Sequence, residues 1–310
     1  MIKVGIIGGA GYTAGELLRI LINHPSVHIE FVHSNSNAGK PISAIHSDLI
    51  GETDLVFTDK MPFENVDALF LCVGHGDART FLLENNLPKS LKIIDLSQDF
   101  RHGAVADTEG FVYGLPELNF LEIKTASKIA NPGCFATAIQ LAILPLAAAG
   151  KLTDDIHVHA LTGSTGAGQK PTDSTHFSWR NNNVSIYEAF KHRHLKEITA
   201  SVRQLQPTFS EEINFLPVRG NFTRGIYASV YTKTDLSEMD LKNLYTDFYK
   251  NAAFTFTTDQ TPHLKQVVGT NKALVHVSKH GNKALIISMI DNLLKGASGQ
   301  AVENVNAAFL

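Results

Sequence analysis

The feature that most constrains this chain is a turn of small residues set between a strand and a helix. Val4-Gly5-Ile6-Ile7 is a short apolar run that breaks into Gly8-Gly-Ala-Gly-Tyr-Thr-Ala-Gly15. From Ala14 to His24 the apolar Leu17, Leu18, Leu21 and Ile22 return with helical spacing, until Pro25 stops them. The turn fits Gly9-x-Gly11-x-x-Ala14, or equally Gly8-x-x-Gly11-x-x-Ala14. Small side chains there let a dinucleotide pyrophosphate approach the backbone and meet the N–H groups at a helix N-terminus. A plain strand-to-helix turn also carries glycine, but the flanking strand and helix favour a dinucleotide site with Gly8, Gly11 and Ala14 among its contacts.

The pattern around this turn indicates the fold class. Ile29 to His33, Ala68 to Val73 and Lys92 to Leu96 read as further strands, with a helical pattern at Ala78, Phe81 and Leu82 between the last two. Alternating strands and helices argue for a parallel sheet with crossover helices. After about residue 150 the pattern changes. Ile156 to Leu161, Ile226 to Thr232, Leu274 to Ser278 and Ala284 to Ile290 are longer strands, several alternating with period two, and Gly281-Asn282 sits between the last pair like a hairpin turn. Helices fit at Leu195 to Leu205 and at Ser237 to Lys250, where Ser237-Glu-Met-Asp240 opens like a capping box. The expected fold is α/β: an N-terminal Rossmann domain and a second α+β domain on a mainly antiparallel sheet. At roughly 150 residues per domain, 310 residues are enough for both.

Charge and cysteine content narrow the function classes. Lys and Arg total 27 against 30 Asp and Glu, a formal net charge of −3, so no global basic field exists to attract nucleic acid or an anionic membrane. The two cysteines, Cys72 and Cys134, make neither a disulfide framework nor a metal knuckle. Together with an N-terminus that reads as a strand rather than a leader, this leads to an expected cytoplasmic location. The most apolar stretch, Cys134 to Ala149, is interrupted by Thr137, Gln140 and Pro145 and reads as a buried helix rather than a membrane span.

Three further segments carry chemistry. In Asn131-Pro-Gly-Cys134, a cysteine lies where a turn becomes a helix; the positive end of the helix dipole favours the thiolate, which makes Cys134 the candidate nucleophile. Cys72, inside Leu69-Phe-Leu-Cys-Val73, is the ordinary buried cysteine. His192-Arg-His194, with Lys191 before and Glu197 after, offers two imidazoles that can act as acid or base near neutral pH. No cysteine or carboxylate lies at ligand spacing, and no metal is expected. A second glycine loop, Gly163-Ser-Thr-Gly-Ala-Gly168, follows a strand of the second domain; Gly163, Ser164 and Gly166 are candidates to contact the ligand. The second strand ends in His33-Ser-Asn-Ser-Asn37 without the acid that usually accepts from the ribose hydroxyls. Ser34, Ser36 and Lys40 suit a 2′-phosphate instead, which favours NADP, while Glu30 lies inside the strand rather than at its tip.

Taken in order, Gly8-Gly-Ala-Gly-Tyr-Thr13, Asp95-Leu-Ser-Gln-Asp-Phe-Arg101, Tyr113-Gly-Leu-Pro-Glu117, Asn131-Pro-Gly-Cys134, His192-Arg-His194 and Asp291-Asn-Leu-Leu-Lys-Gly-Ala-Ser-Gly-Gln300 resemble the N-acetyl-gamma-glutamyl-phosphate reductase family of the semialdehyde dehydrogenase superfamily, nearly end to end. The resemblance implies NADPH-dependent reduction of an N-acyl-gamma-glutamyl phosphate to the semialdehyde, with release of phosphate, in arginine biosynthesis. It implies a dinucleotide-binding domain of residues 1–132 and 291–310, with a final helix that returns to it. It also implies a catalytic and dimerisation domain of residues 133–290, hence a homo-oligomer. It adds Tyr12, Thr13 and Asn292 to the expected cofactor contacts. Cys134, His192 and His194 become the expected catalytic residues. Arg101, Asn131 and Arg193 become the expected substrate residues, the arginines because a guanidinium fork matches phosphate or carboxylate, with Arg219 and Arg224 behind them. Three departures stand out. Asn35 replaces an arginine after Ser34, the segment from Ala44 to Phe63 is abbreviated, and Gly74-His-Gly76 replaces Pro-His-Gly. Two other readings are an aspartate-semialdehyde type of phosphorylating dehydrogenase and a non-enzymatic dinucleotide sensor, which would need no reactive Cys134.

Overall fold

The computed structural model describes residues 1–101, 110–169 and 171–310. The chain divides into two compact units, Met1–Pro132 with Ala297–Leu310, and Gly133–Gly296. The return to the first unit therefore falls at Ala297, against an expected 291.

In the first unit, β1 (Ile2–Ile7), α1 (Tyr12–Leu21), β2 (Val27–His33), β3 (Phe57–Thr58), β4 (Ala68–Leu71), α2 (Asp77–Glu84), β5 (Lys92–Asp95), β6 (Val112–Tyr113), α3 (Pro116–Thr125) and β7 (Lys128–Ala130) follow in order. The sheet runs β3-β2-β1-β4-β5-β7-β6 with every pairing parallel. Parallel strands are covered on both faces and so read as unbroken apolar runs; Ala68-Leu-Phe-Leu71 is buried at all four positions. On one face α1 sets Leu17, Leu18 and Leu21 into a core with Val4, Ile6 and Phe70. The C-terminal helix Gly299–Phe309 adds Ala301, Val302 and Val305 to the same core. Each such leucine is worth about 1.5–3 kcal/mol of burial, which explains why the last turns of the chain fold onto the first strand-helix unit. Chain order reverses between β1 and β4, and that switch point opens a crevice at the carboxyl ends of the strands.

The second unit begins with α4 (Cys134–Ala148) and continues through β8 (Ile156–Thr162), α5 (Phe177–Arg180), β9 (Ser185–Ile186), α6 (Leu195–Leu205), β10 (Ile213–Arg219), β11 (Ile226–Lys233), α7 (Glu238–Tyr249), β12 (Thr255–Thr257), β13 (Ala273–His280) and β14 (Lys283–Ile290). Its sheet has the order β12-β13-β14-β11-β8-β10-β9. It is antiparallel except for the β8–β10 and β12–β13 pairs. The β13–β14 hairpin turns at Gly281, whose φ of 61° is what the first central position of a tight primed turn demands. Ser237 caps α7 by accepting the Asp240 amide at 3.1 Å.

Helix α4 is buried from Phe135 to Ala147, as its all-round apolar sequence requires. Pro145 cannot donate to the carbonyl of Leu141 one turn back. The Tyr249 hydroxyl supplies the missing donor at 2.6 Å, so the proline costs the core no unsatisfied acceptor. Among the described residues no helix is long and apolar enough to cross a membrane, and no group of three or more His, Cys, Asp or Glu side chains could hold a metal.

Candidate active site

Cys134 is the first residue of α4, and Gly133 is its N-cap in an extended conformation. No intrahelical carbonyl reaches the first-turn amides of a helix, so Cys134 stands at a concentration of unspent N–H dipoles, where a thiolate is favoured. Gly133 leaves room for what lies against it: a β-carbon there would sit 2.4 Å from His194 Nε2 and 2.8 Å from Glu197 Oε1. The imidazole of His194 is thus packed on the backbone immediately before the cysteine. Glu197, in the first turn of α6, is buried. Its Oε2 accepts the Gly133 amide at 3.0 Å and its Oε1 lies 3.7 Å from His194 Nε2. Gly296 also packs so closely that a β-carbon would come within 2.8 Å of Cys134 Cβ.

The two histidines have different surroundings. His192 accepts the His194 amide at Nδ1, 3.3 Å away, which leaves its ring proton on Nε2, 3.9 Å from Glu188. Its ring stands edge-on to those of Phe135, Phe215 and His194. Burial, with Arg193 adding like charge, pulls its pKa down to about 4. His192 is therefore a neutral, packed imidazole at physiological pH, whereas His194 is the one that meets a buried carboxylate beside Cys134.

A pair of cations, Arg219 of the lesser candidates and Arg180, lies next to this cluster. Arg180 is buried, and its guanidinium donates to the carbonyls of Ser174, Asn183 and Arg219 and to the Ser185 hydroxyl. Arg219, at the end of β10, lies over the Tyr187 ring at 4.7 Å. Burial, then the charge of Cys134, push the Tyr187 hydroxyl up to about 12 against the lowering effect of Arg219, so it stays neutral. The loop carrying Tyr187 is bent sharply: Asn182, Glu188 and Phe190 all have positive φ, of 54°, 46° and 62°. For a residue as bulky as Phe190 this conformation is strained.

The other candidate residues fall into place as follows. Arg193 is exposed. Arg101 is buried in the first unit, donating to the Leu96 carbonyl at 2.8 Å. Asn131 is enclosed, with its amide donating to the Ala297 carbonyl at 2.9 Å and accepting from Asn304 at 3.1 Å; it braces the Asn-Pro-Gly turn. Asn292 likewise uses both ends of its amide inside the second unit, accepting from Gly225 N at 2.6 Å and donating to Thr165 Oγ1 at 3.0 Å. It ties down the Gly163–Gly168 loop, where Ser164 is half-buried and Gly166 exposed, and Gly163 has the Thr223 carbonyl 2.4 Å from where a β-carbon would be. Arg224 is locked in a two-pronged pair with buried Asp291, both contacts at 3.0 Å.

In the first unit, Gly8 has φ of 79°, and a β-carbon there would lie 2.5 Å from the Cys72 carbonyl oxygen, so no other residue fits the tight turn. Gly11 is the N-cap of α1, followed by half-exposed Tyr12. Ala14 is buried, and the carbonyl of Thr13 accepts from Ser298 Oγ at 2.7 Å. A cleft of about 470 Å³ is lined by Ile7, Gly8, Ser34, Ser36, Val73 and Thr80, among others, a size suited to part of a dinucleotide. Beside it, Asn37 donates to the hydroxyls of Ser34 and Ser36 at 3.2 Å, and Lys40 donates to Asn37 Oδ1 at 3.2 Å. Glu30 instead pairs with Lys3 at 3.8 Å. Burial pushes the Cys72 thiol up to about 12, leaving it inert.

Comparison with known proteins matches both units. Residues 3–126 fit the family described as semialdehyde dehydrogenase, NAD binding domain, and residues 134–292 the one described as semialdehyde dehydrogenase, dimerisation domain. A protein of Azobacteroides pseudotrichonymphae named N-acetyl-gamma-glutamyl-phosphate reductase is 60% identical over 99% of this chain and 94% of its own. One of the same name from Christiangramia forsetii is 59% identical over 100% and 95%. Among solved structures, aspartate semialdehyde dehydrogenase II of Vibrio cholerae matches with a TM-score of 0.76 at 17% identity, covering 99% of this chain and 98% of that one. The Candida albicans aspartate semialdehyde dehydrogenase with NADP matches at 0.71 and 13% identity, covering 99% and 98%. At such identity these two report on the fold alone.

Proposed function

The chain belongs to the semialdehyde dehydrogenase family, and within it to the N-acetyl-gamma-glutamyl-phosphate reductases, and on that footing we propose that it reduces an N-acyl-gamma-glutamyl phosphate through a thioester on Cys134, with NADPH as the preferred reductant. The observation that carries the mechanism is the placement of Cys134 at the start of α4 with the His194–Glu197 pair packed on Gly133.

An acyl phosphate is a poor direct hydride acceptor, and a covalent intermediate divides the reaction into two easier steps. The Cys134 thiolate attacks the acyl carbon; the sulfur–carbon bond forms as the carbon–oxygen bond to phosphate breaks. His194, paired with Glu197, hands a proton to the departing phosphate and regains one from solvent. When bound, the reduced nicotinamide supplies a hydride to the thioester carbon. The resulting oxyanion is stabilised by the first-turn amides of α4; its collapse releases the aldehyde and regenerates the thiolate. Neutral His192 keeps His194 in position through the Nδ1 contact with its amide. Arg101 and Arg193 remain the candidates for the phosphate.

The first unit fits a dinucleotide by its glycine turn and the cleft at the switch point. Preference for NADP rests on Ser34, Ser36 and Lys40 at the end of β2 and on the absence of an acid there. The match to a dimerisation domain supports a homo-oligomer. An aspartate-semialdehyde type of activity is not favoured, since the relatives named for it are below 20% identical. A sensor role would leave the His194–Glu197–Gly133 arrangement without a purpose. The decisive assay is phosphate-dependent NADP reduction with N-acetyl- and N-succinyl-glutamate semialdehyde, run against aspartate semialdehyde. Turnover with either glutamate derivative supports the reading, and turnover with aspartate semialdehyde alone refutes it.

A further inference from the structure

We propose that Arg219 and Tyr187 form a subsite that holds a carboxylate of the substrate while Cys134 attacks its other end; the assignment rests on the acyl-phosphate reading above. Arg219 Nη1 is 3.4 Å from Ser174 Oγ, the guanidinium stacks on Tyr187, and its Nε is buried without a hydrogen-bond partner. Among the described residues no carboxylate pairs with it. Arg180 compounds the imbalance, because its own donors are spent on neutral acceptors and its charge is left over. Two cations, one buried and one half-buried, are therefore held together with no carboxylate paired to either among the described residues. A partly desolvated charge is costly unless an opposite charge meets it. The anion that does so must come from outside the unit.

The location decides which anion. Tyr187 is close enough to Cys134 to feel its charge, and its ring lies 5.8 Å from that of His192, so Arg219 approaches the site from across the Tyr187 ring. The phosphate is bonded through its bridging oxygen to the carbon that Cys134 attacks and belongs at the first turn of α4. A carboxylate four carbon–carbon bonds away, roughly 5 Å by ordinary bond lengths, belongs on the far side of the tyrosine. A planar guanidinium fork beside a neutral phenol donor is also built for a planar two-oxygen acceptor. Two parts of such a substrate carry that group: the amino-acid carboxylate, or a second carboxylate on a dicarboxylic N-acyl group.

The test measures phosphate-dependent oxidation of N-acetyl- and N-succinyl-glutamate semialdehyde by the wild type, Arg219→Gln and Arg219→Lys. Arg219→Gln should raise KM for the semialdehyde roughly ten- to a hundredfold, the size expected for a charge-assisted contact, with KM for phosphate unmoved, and Arg219→Lys should recover part of the loss. Equal rises for both substrates assign the amino-acid carboxylate; a rise with the succinyl substrate alone assigns the acyl carboxylate. A rise in KM for phosphate instead, or a loss confined to kcat, overturns the proposal. Should the wild type turn over neither substrate, the acyl-phosphate reading fails, and a separate measurement still decides the subsite. N-acetyl- or N-succinyl-glutamate should slow iodoacetamide alkylation of Cys134 in the wild type but not in Arg219→Gln or, should that variant not fold, in Tyr187→Phe. Absence of protection in the wild type overturns the subsite as well.

Discussion

The carboxylate of Glu197 accepts the backbone N–H of Gly133 at 3.0 Å, so one buried acid both fixes the cap of the helix that begins at Cys134 and faces the imidazole of His194. Glu197→Gln keeps the shape but removes the negative charge that faces His194. It should fold normally and lose roughly 10²-fold or more in kcat, the scale of a general acid–base contribution. Glu197→Ala also strands the Gly133 amide, at a cost of about 1–3 kcal/mol. Steady-state kinetics and thermal denaturation check both, and full activity in Glu197→Gln would reduce the acid to a structural cap.

The pH behaviour of the histidines should separate. His192 titrates at about 4 in the folded chain, against about 6.5 when exposed. Between those values the unfolded chain binds a proton that the folded chain refuses. The contribution is therefore fully present above 6.5 and is lost as pH falls through about 4. Denaturation of His192→Asn should accordingly show a shallower loss of stability between pH 6.5 and 4. Its rate profile near neutrality should keep the wild-type shape, while His194→Asn should change both the profile and the pH dependence of Cys134 alkylation. The reverse pattern would exchange the roles of the two residues.

Much of this was legible in the amino-acid order because it depends on local rules. The glycine turn, the apolar Cys134–Ala148 helix, the Ser237 cap and the Gly281 hairpin each follow from backbone freedom or period, and the structure has them where the pattern puts them. Strands β3, β6 and β9 are two residues long and leave no period to read. Strand β10 contains Pro217, which argues locally against a strand; tertiary pairing with β8 overrides it. The site divides in the same way. Cys134 and the histidine pair announce themselves, and Glu197 has a signal in its helical spacing of three from His194. Tyr187 and Arg180 have none, since only the strained loop and the end of β10 bring them to Arg219. Asn131 and Asn292, read as ligand contacts, are engaged inside their own units.

Cofactor preference follows from the end of β2. The tip of β2 carries no acid at Ser34 to repel a 2′-phosphate, although Asp77 and Glu84 line the same cleft, and Lys40, held by Asn37, supplies a cation. Asn35 in place of an arginine forgoes a charge-assisted contact of about 1.5–3 kcal/mol. NADPH should be favoured over NADH by a modest ratio of kcat/KM that Asn35→Arg widens and Lys40→Ala narrows. A wild-type preference for NADH would show that the ribose pocket lies elsewhere.

A thioester on Cys134, with Cys72, its thiol raised to about 12 by burial, taking no part, predicts an acyl adduct on one cysteine alone. The most direct measurement mixes the enzyme with N-acyl-gamma-glutamyl phosphate in the absence of reductant, quenches in acid and maps the mass of each cysteine peptide. The wild type and Cys72→Ser should gain the acyl mass on the peptide containing Cys134, in step with one equivalent of phosphate released, and Cys134→Ser should gain none. Stoichiometric phosphate release with no adduct on Cys134, or wild-type turnover in Cys134→Ser, would contradict the account.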